Sequence, residues 1–292
     1  MDVAVGAEQG ENRGRGEESY LADQLSASIS FFGVADGFGQ VSKGVASAPL
    51  ALALVRDYLR RKARLGALTG RNGSVTLLCQ TVVAGLGFAN NALFARSGSN
   101  EDYVAGGISI AMALIVDRHA YIAHVGDARV YLLRHGALEL LTIDDAVGIE
   151  AVTSSATTMV AGPPLRNLLW RTLGAQPKLE ASVAHVELLP SDRLLLCTSG
   201  LHRVLSQAEI GDALAQQQTA AKALGTLLVG TLLHESTDGA AAIVAFDPLV
   251  PLREGSHASP EVPSRRSALM TLFAIAIAVA VLYALRGLHF VH

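Results

Sequence analysis

The stretch Ile108–Thr142 reads ISIAMALIVDRHAYIAHVGDARVYLLRHGALELLT, and its reading decides the fold. Apolar runs of strand length are broken at Asp117-Arg118, at Gly126-Asp127 and at Arg134-His135-Gly136. Each break is too short for a helical crossover, so the runs form a meander of antiparallel strands. Further strands are predicted over Glu180–Leu188, Arg193–Thr198 and Ala240–Phe246, with helices over Gln207–Gln217 and Thr219–Leu233 between the last two. Upstream, ISFFGVA (Ile29–Ala35) is a buried strand that delivers Asp36 into the glycine-rich turn Asp36-Gly37-Phe38-Gly39. A strand over Tyr20–Ala22 precedes it. From Val45 to Leu68 apolar residues return at helical spacing, with Arg56, Arg60, Arg61 and Lys62 on the other side, and a second helix is predicted over Val75–Ala95. Strands in runs and helices in groups, rather than alternating parallel units, predict an α/β (α+β) chain: a four-layer α-β-β-α sandwich of two antiparallel sheets.

Composition bounds what such a fold can do. The chain has 292 residues, 50% of them apolar and 17% charged, with a net charge of -3. It carries no basic face that would draw nucleic acid. Cys79 and Cys197 lie among apolar neighbours without zinc-site spacing and read as small buried hydrophobes. The N-terminus lacks the apolar stretch of a signal peptide. The apolar excess collects instead in SALMTLFAIAIAVAVLYAL, Ser267–Leu285, an uncharged run close to the ~20 residues that span a bilayer. Arg265 and Arg266 precede it, which favours a cytoplasmic main domain under the positive-inside rule. The expected organisation is a folded domain over 1–247, a Pro- and Ser-rich linker over 248–266, a transmembrane helix over 267–285 and a short tail over 286–292. The expected location is the cell inner membrane, single-pass, with the domain in the cytoplasm.

Acids stand at predicted strand ends and turns: Glu17-Glu18, Asp36, Asp127 and Asp238. One Asp beside Gly commonly marks a turn and no more. Several gathered from different strand ends have the chemistry to hold hard divalent ions such as Mg²⁺ or Mn²⁺. His119, His124 and His135 share no ligand spacing and read as packing or turn residues.

In order and spacing these motifs resemble the PPM-type metal-dependent serine/threonine protein phosphatases. FFGVADGFGQVSKGVAS resembles the family's Asp-Gly-x-Gly-Gly segment, and AYIAHVGDARVYLLRHGALELLTIDDAV is similar to its Gly-Asp-Ser-Arg meander with the Thr-x-Asp that follows. DRLLLCTSGLHRVLS resembles the segment that carries Ser-Asp-Gly, and TDGAAAIVAF the closing Asp-Asn strand. The resemblance spans about Arg13 to Phe246. It implies a metal pair held by Asp36, the Gly37 carbonyl, Glu17-Glu18 and Asp238, with Asp127 linked to a third, weaker ion. It also implies a phosphate grip by Arg13, with Arg15 a less well-spaced rival. The implied reaction is hydrolysis of phosphoserine and phosphothreonine by a water activated between two Mn²⁺ or Mg²⁺ ions, with no protein nucleophile. Implied partners are phosphorylated proteins, among them a membrane-associated Ser/Thr kinase or its substrates.

The sequence departs from the pattern at Ser199, where a ligating Asp is usual. Gly16 and Gly239 stand where Asn is usual, and Gln40 replaces a Gly. Glu18 stands for Asp and adds a methylene, moving its carboxylate by about 1 Å where such shifts can cost ~10²-fold in rate. Two readings stay open on these residues: a membrane-anchored phosphatase with a partly degenerate site and weakened occupancy of one ion, or a catalytically weak or dead pseudophosphatase serving as a phosphoprotein-binding or scaffold module.

Overall fold

Burial with a period of two explains the sheets. In the computed structural model, which describes residues 1–8, 18–38, 48–68, 74–97, 107–145, 171–234 and 238–248, strand β3 (Ile29–Phe38) sends Phe32 and Val34 into one core and Phe31 and Ala35 into another. A strand covered on both faces needs apolar residues at every position, which is why it reads as one unbroken run. Strand β4 (Gly107–Val116) follows the same rule, with all ten residues buried.

Ten strands make two five-stranded antiparallel sheets. One has the order β2 (Glu18–Ser26), β3, β4, β5 (His119–Val125), β8 (Ser182–Glu187). The other has the order β1 (Asp2–Glu8), β10 (Ala240–Phe246), β9 (Arg193–Cys197), β6 (Arg129–Arg134), β7 (Ala137–Leu140). Their facing sides bury Val5, Val34, Ile122, Leu132, Leu196 and Ile243. Outside the first sheet lie α1 (Ala48–Arg64) and α2 (Val75–Ser97), which pack Leu52, Val55, Leu59, Val82 and Leu86 against it. Each such side chain taken out of water contributes roughly 1.5–3 kcal/mol. The turn-length α3 (Ser199–His202) follows β9, and α4 (Gln207–Gln216) and α5 (Ala220–Leu233) flank the second sheet, α5 against β1 and β10. This is the four-layer sandwich expected from sequence.

Three local expectations change. The meander is divided: β4 and β5 belong to one sheet and β6 and β7 to the other. Gly126 makes the crossing with φ +95°, and a Cβ there would stand 2.7 Å from the Ser109 side chain, so neither the backbone angle nor the space admits another residue easily. Asp36 and Gly37 lie inside β3, paired with Ser109 and Ile108, and not in a turn beyond it. Likewise Glu18 opens β2 instead of preceding it, because that strand runs to Ser26. Strand β1 was not expected at all.

Among the described residues one helical stretch, Val75–Arg96 in α2, is long and apolar enough to cross a membrane. Leu78, Val82, Leu86, Ala89 and Leu93 seal it to the sheet, which makes it a core helix. The expected linker, transmembrane helix and tail lie outside the described residues, apart from Pro248. The basic side of α1 is partly tied down, since Arg60 bonds Asp23 of β2. His124 places Nε2 2.7 Å from the Ile143 carbonyl, and His135 occupies the β6–β7 turn at φ +50°. Both serve the fold, and Cys197 is a buried thiol whose pKa burial pushes up.

Candidate metal and phosphate site

Strand parity brings the acids to one end of the gap between the sheets. Asp36 continues the Phe32, Val34 side of β3, which faces the other sheet. Glu18 is its direct cross-strand partner on β2. Like charges so placed repel one another across a pair of strands, and a cation between them removes the penalty.

Asp36 is the most perturbed acid described. Its Oδ1 is shut off from solvent and has no hydrogen-bond partner among the described residues. Its Oδ2 accepts a bond from the Ser199 hydroxyl at 3.0 Å. Burial, then the charge of Asp127, push its pKa up to about 7, with a smaller rise from Glu18 and opposing effects from Ser199 and Arg203. A buried carboxylate oxygen without a partner among the described residues, with Glu18 directly across the strand pair, has the chemistry of a ligand for a divalent cation.

Ser199 is the first residue of α3 and is 8% exposed. It is close enough to touch Asp36, yet it presents a proton to that carboxylate where an acid at the same place would add a charge. The position thus remains part of the site while contributing less to binding a metal.

Glu18 and Gly239 fit one another closely. A Cβ built on Gly239 would lie 2.3 Å from the Glu18 Cδ and 2.5 Å from both carboxylate oxygens. The longer acid therefore occupies the space that a side chain at 239 would fill. Read separately in the sequence, these are two losses of pattern; in the fold they are one exchange of volume. Asp238 is exposed just before β10.

Asp127 is held differently. Its N–H donates to Ser109 Oγ at 3.0 Å, its carbonyl lies 2.8 Å from His202 Nε2, and its carboxylate accepts from Arg203 Nη2 at 2.5 Å. Asp145 supports the same loop by accepting from the Gly126 N–H at 3.1 Å and is itself bonded by Arg171. Arg129 grips Asp144 through two bonds of 2.8 and 2.7 Å, and Thr142 accepts from the Val130 N–H at 3.2 Å. Arg129 and the Thr142-Ile143-Asp144 segment thus lock β6 and its exit and do not reach the acids.

Of the residues singled out from sequence, Glu18, Asp36, Asp127 and Ser199 converge at this end of the sandwich. Gly37 lies beside Asp36 in β3. Arg13, Arg15, Gly16, Glu17 and Gln40 lie outside the described residues. Among the described residues no three carboxylate, imidazole or thiolate side chains form a ready-made ligand cluster. Ser109, His202 and Arg203 were not singled out, and no local pattern marks them: the partner of Arg203 is 76 positions away.

No family model matches the chain. It is similar to the serine/threonine phosphatase stp of Listeria monocytogenes serotype 4b, 29% identical over 188 residues that cover 64% of this chain and 72% of the relative. Among solved structures it is similar to PppA of Pseudomonas aeruginosa, described as a key regulatory component of T6SS, with 25% identity, a TM-score of 0.65 and coverage of 84% of this chain and 96% of that one. It is also similar to the catalytic domain of the serine/threonine protein phosphatase PstP in complex with two manganese ions, with 26% identity, a TM-score of 0.63 and coverage of 83% and 96%. The two antiparallel sheets with flanking helices are shared with these two solved structures over nearly their whole length, which defines a PPM-type phosphatase fold. In sequence and in fold the chain is similar to serine/threonine phosphatases of the PPM type.

Proposed function

We propose that the chain is a membrane-anchored protein phosphatase that hydrolyses phosphoserine and phosphothreonine in proteins reaching the inner membrane surface, using Mn²⁺ or Mg²⁺ at a partly degenerate site. The single observation that carries the reading is Asp36: a buried carboxylate set against Glu18, with one oxygen that has no partner among the described residues. A binding module without a metal has no use for that arrangement, which burdens the fold. The two manganese ions in PstP and the phosphatase relatives support the same conclusion.

When bound, the ions supply Lewis acidity and a nucleophile from water at neutral pH. Asp36, the Gly37 carbonyl, Glu18, Glu17 and Asp238 would hold them. Arg13 receives the substrate phosphate through a charge-assisted bond. Ser199 contributes a neutral hydroxyl where an acid would add a charge, so it would hold an ion less tightly than a carboxylate. Residues 1–247 form the catalytic domain, 248–266 the tether, 267–285 the anchor and 286–292 the tail.

Phosphate release from a phosphothreonine peptide by the full chain, across a Mn²⁺ titration, tests the activity. Turnover that rises with Mn²⁺ and is lost in Asp36→Ala is expected. Silence at every Mn²⁺ concentration from folded protein would leave the pseudophosphatase reading in its place. Extraction from membranes by detergent and not by carbonate or salt tests the anchor, and release by salt would remove it.

A further inference from the structure

Arg203 follows α3 as its C-terminal cap residue. Its Nη2 sits 2.5 Å from Asp127 Oδ2. The Asp127 side chain is 4% exposed and the Arg203 side chain 33%, so a partly exposed guanidinium meets a nearly buried carboxylate. The rest of Asp127 is also engaged, its N–H by Ser109 Oγ and its carbonyl by His202 Nε2. Ser109 Oγ accepts from the Ala128 N–H as well, at 2.8 Å, so both amides flanking the carboxylate are fixed.

A divalent ion at Asp127 needs further oxygen ligands of negative or neutral character. Among the described residues the group bonded to this carboxylate is instead a cation. A guanidinium, charged at every accessible pH, already sits on the carboxylate, and the nearby Ser199 brings no charge. Adding two further positive charges next to that guanidinium is repulsive, and removing Asp127 from Arg203 would leave a nearly buried acid to be paired anew.

We infer that Arg203 is a built-in cation that takes the place of a metal ion at Asp127. The inference rests on the metal-dependent phosphatase reading only for the ions expected elsewhere. At Asp127 itself the chain uses a covalently attached charge, which needs no ion from solution and cannot exchange. Arg203 is on this view a positioning residue: it fixes Asp127 and sets the number of ions the site accepts.

The test is a count of bound Mn²⁺ on the full chain in detergent, by loss of the free-ion electron paramagnetic resonance signal, for wild type, Asp127→Asn, Arg203→Met and the double variant. Methionine keeps much of the arginine stem and its packing while removing the charge. Circular dichroism confirms that each variant is folded, and Arg203→Ala repeats the count with the stem removed. Wild type and Asp127→Asn should bind the same number of ions. Arg203→Met should bind one more, with an affinity at least about tenfold tighter than any wild-type binding at that place, and the extra ion should be lost in the double variant. A wild type that loses one ion on Asp127→Asn overturns the inference, as does an Arg203→Met that gains none. Peptide turnover measured in parallel separates this from the activity: a chain without turnover that still gains an ion in Arg203→Met keeps the inference and loses the phosphatase reading.

Discussion

Asp36 and Asp127 reach the same end of the sandwich in opposite conditions. Asp127 has a cation on its carboxylate, a hydroxyl on its amide and an imidazole on its carbonyl. Asp36 has one serine hydroxyl and a sealed oxygen with no partner among the described residues. Burial alone does not separate them, since both lose water. What separates them is compensation: a buried acid that the protein itself has neutralised is architecture, and one left short is where an ion belongs.

The sharpest way to break this contrast is to neutralise each acid in turn. Asp36→Asn should lower turnover by about 10³-fold or more, because several kcal/mol of metal-dependent stabilisation is lost at ~1.4 kcal/mol per tenfold. In EDTA the same change should stabilise the domain. The folded Asp36 keeps its proton to about pH 7, whereas an unfolded aspartate releases it near 3.8. Between those values the folded state binds more protons, so this group lowers the stability of metal-free protein as pH rises through that window, and the full loss is present above it. The Tm of Asp36→Asn in EDTA should therefore exceed that of wild type at pH 8 and converge with it near pH 4. Equal Tm values at pH 8 would mean that the buried carboxylate imposes no burden and that the contrast is false.

A smaller effect is expected at Ser199. Restoring an acid with Ser199→Asp adds a charge beside Asp36, so Mn²⁺ affinity measured by titration calorimetry should tighten by about 10-fold to 10²-fold, worth roughly 1.4–2.8 kcal/mol. In EDTA the same variant should melt below wild type, since three acids then face one another without a cation. Unchanged affinity would show that Ser199 lies off the ion's coordination sphere.

These contrasts were unevenly legible in the sequence. The strand that carries Asp36 reads plainly because both its faces are covered, and β10 is found at its expected bounds for the same reason. Strand β1 is built from small residues, VAVGA, whose burial comes from pairing with β10 more than 230 positions away, so no local run announces it. The division of the meander at Gly126 was also hidden, since a turn that returns to its own sheet and one that crosses to the other use the same residues. Asp127 was visible as an acid in a turn. Its satisfied state was not, because His202 and Arg203 come from the segment after β9, 75 and 76 positions further along the chain.

The finest test concerns the exchange between Glu18 and Gly239. Gly239→Asn alone puts a side chain into the space of the Glu18 carboxylate, 2.3 Å from its Cδ, so the flexible end of this half-buried acid must swing aside. A side-chain end gives way more cheaply than a packed core, for which overpacking costs typically about 1–3 kcal/mol, so the main effect should be weaker Mn²⁺ binding through the displaced Glu18. Glu18→Asp alone should leave a gap over Gly239 and retract the charge by a methylene, with a milder loss. If the two positions share one volume, the double variant Glu18→Asp with Gly239→Asn should recover most of both losses, giving a coupling energy of about 0.5–3 kcal/mol in the Tm and in the Mn²⁺ titration. Additive losses would mean that Glu18 tolerates its neighbour independently and that the two departures arose without reference to each other. Recovery would instead identify them as a single rearrangement that moves the acid's reach from one strand to the other while keeping its oxygens at the same end of the sandwich.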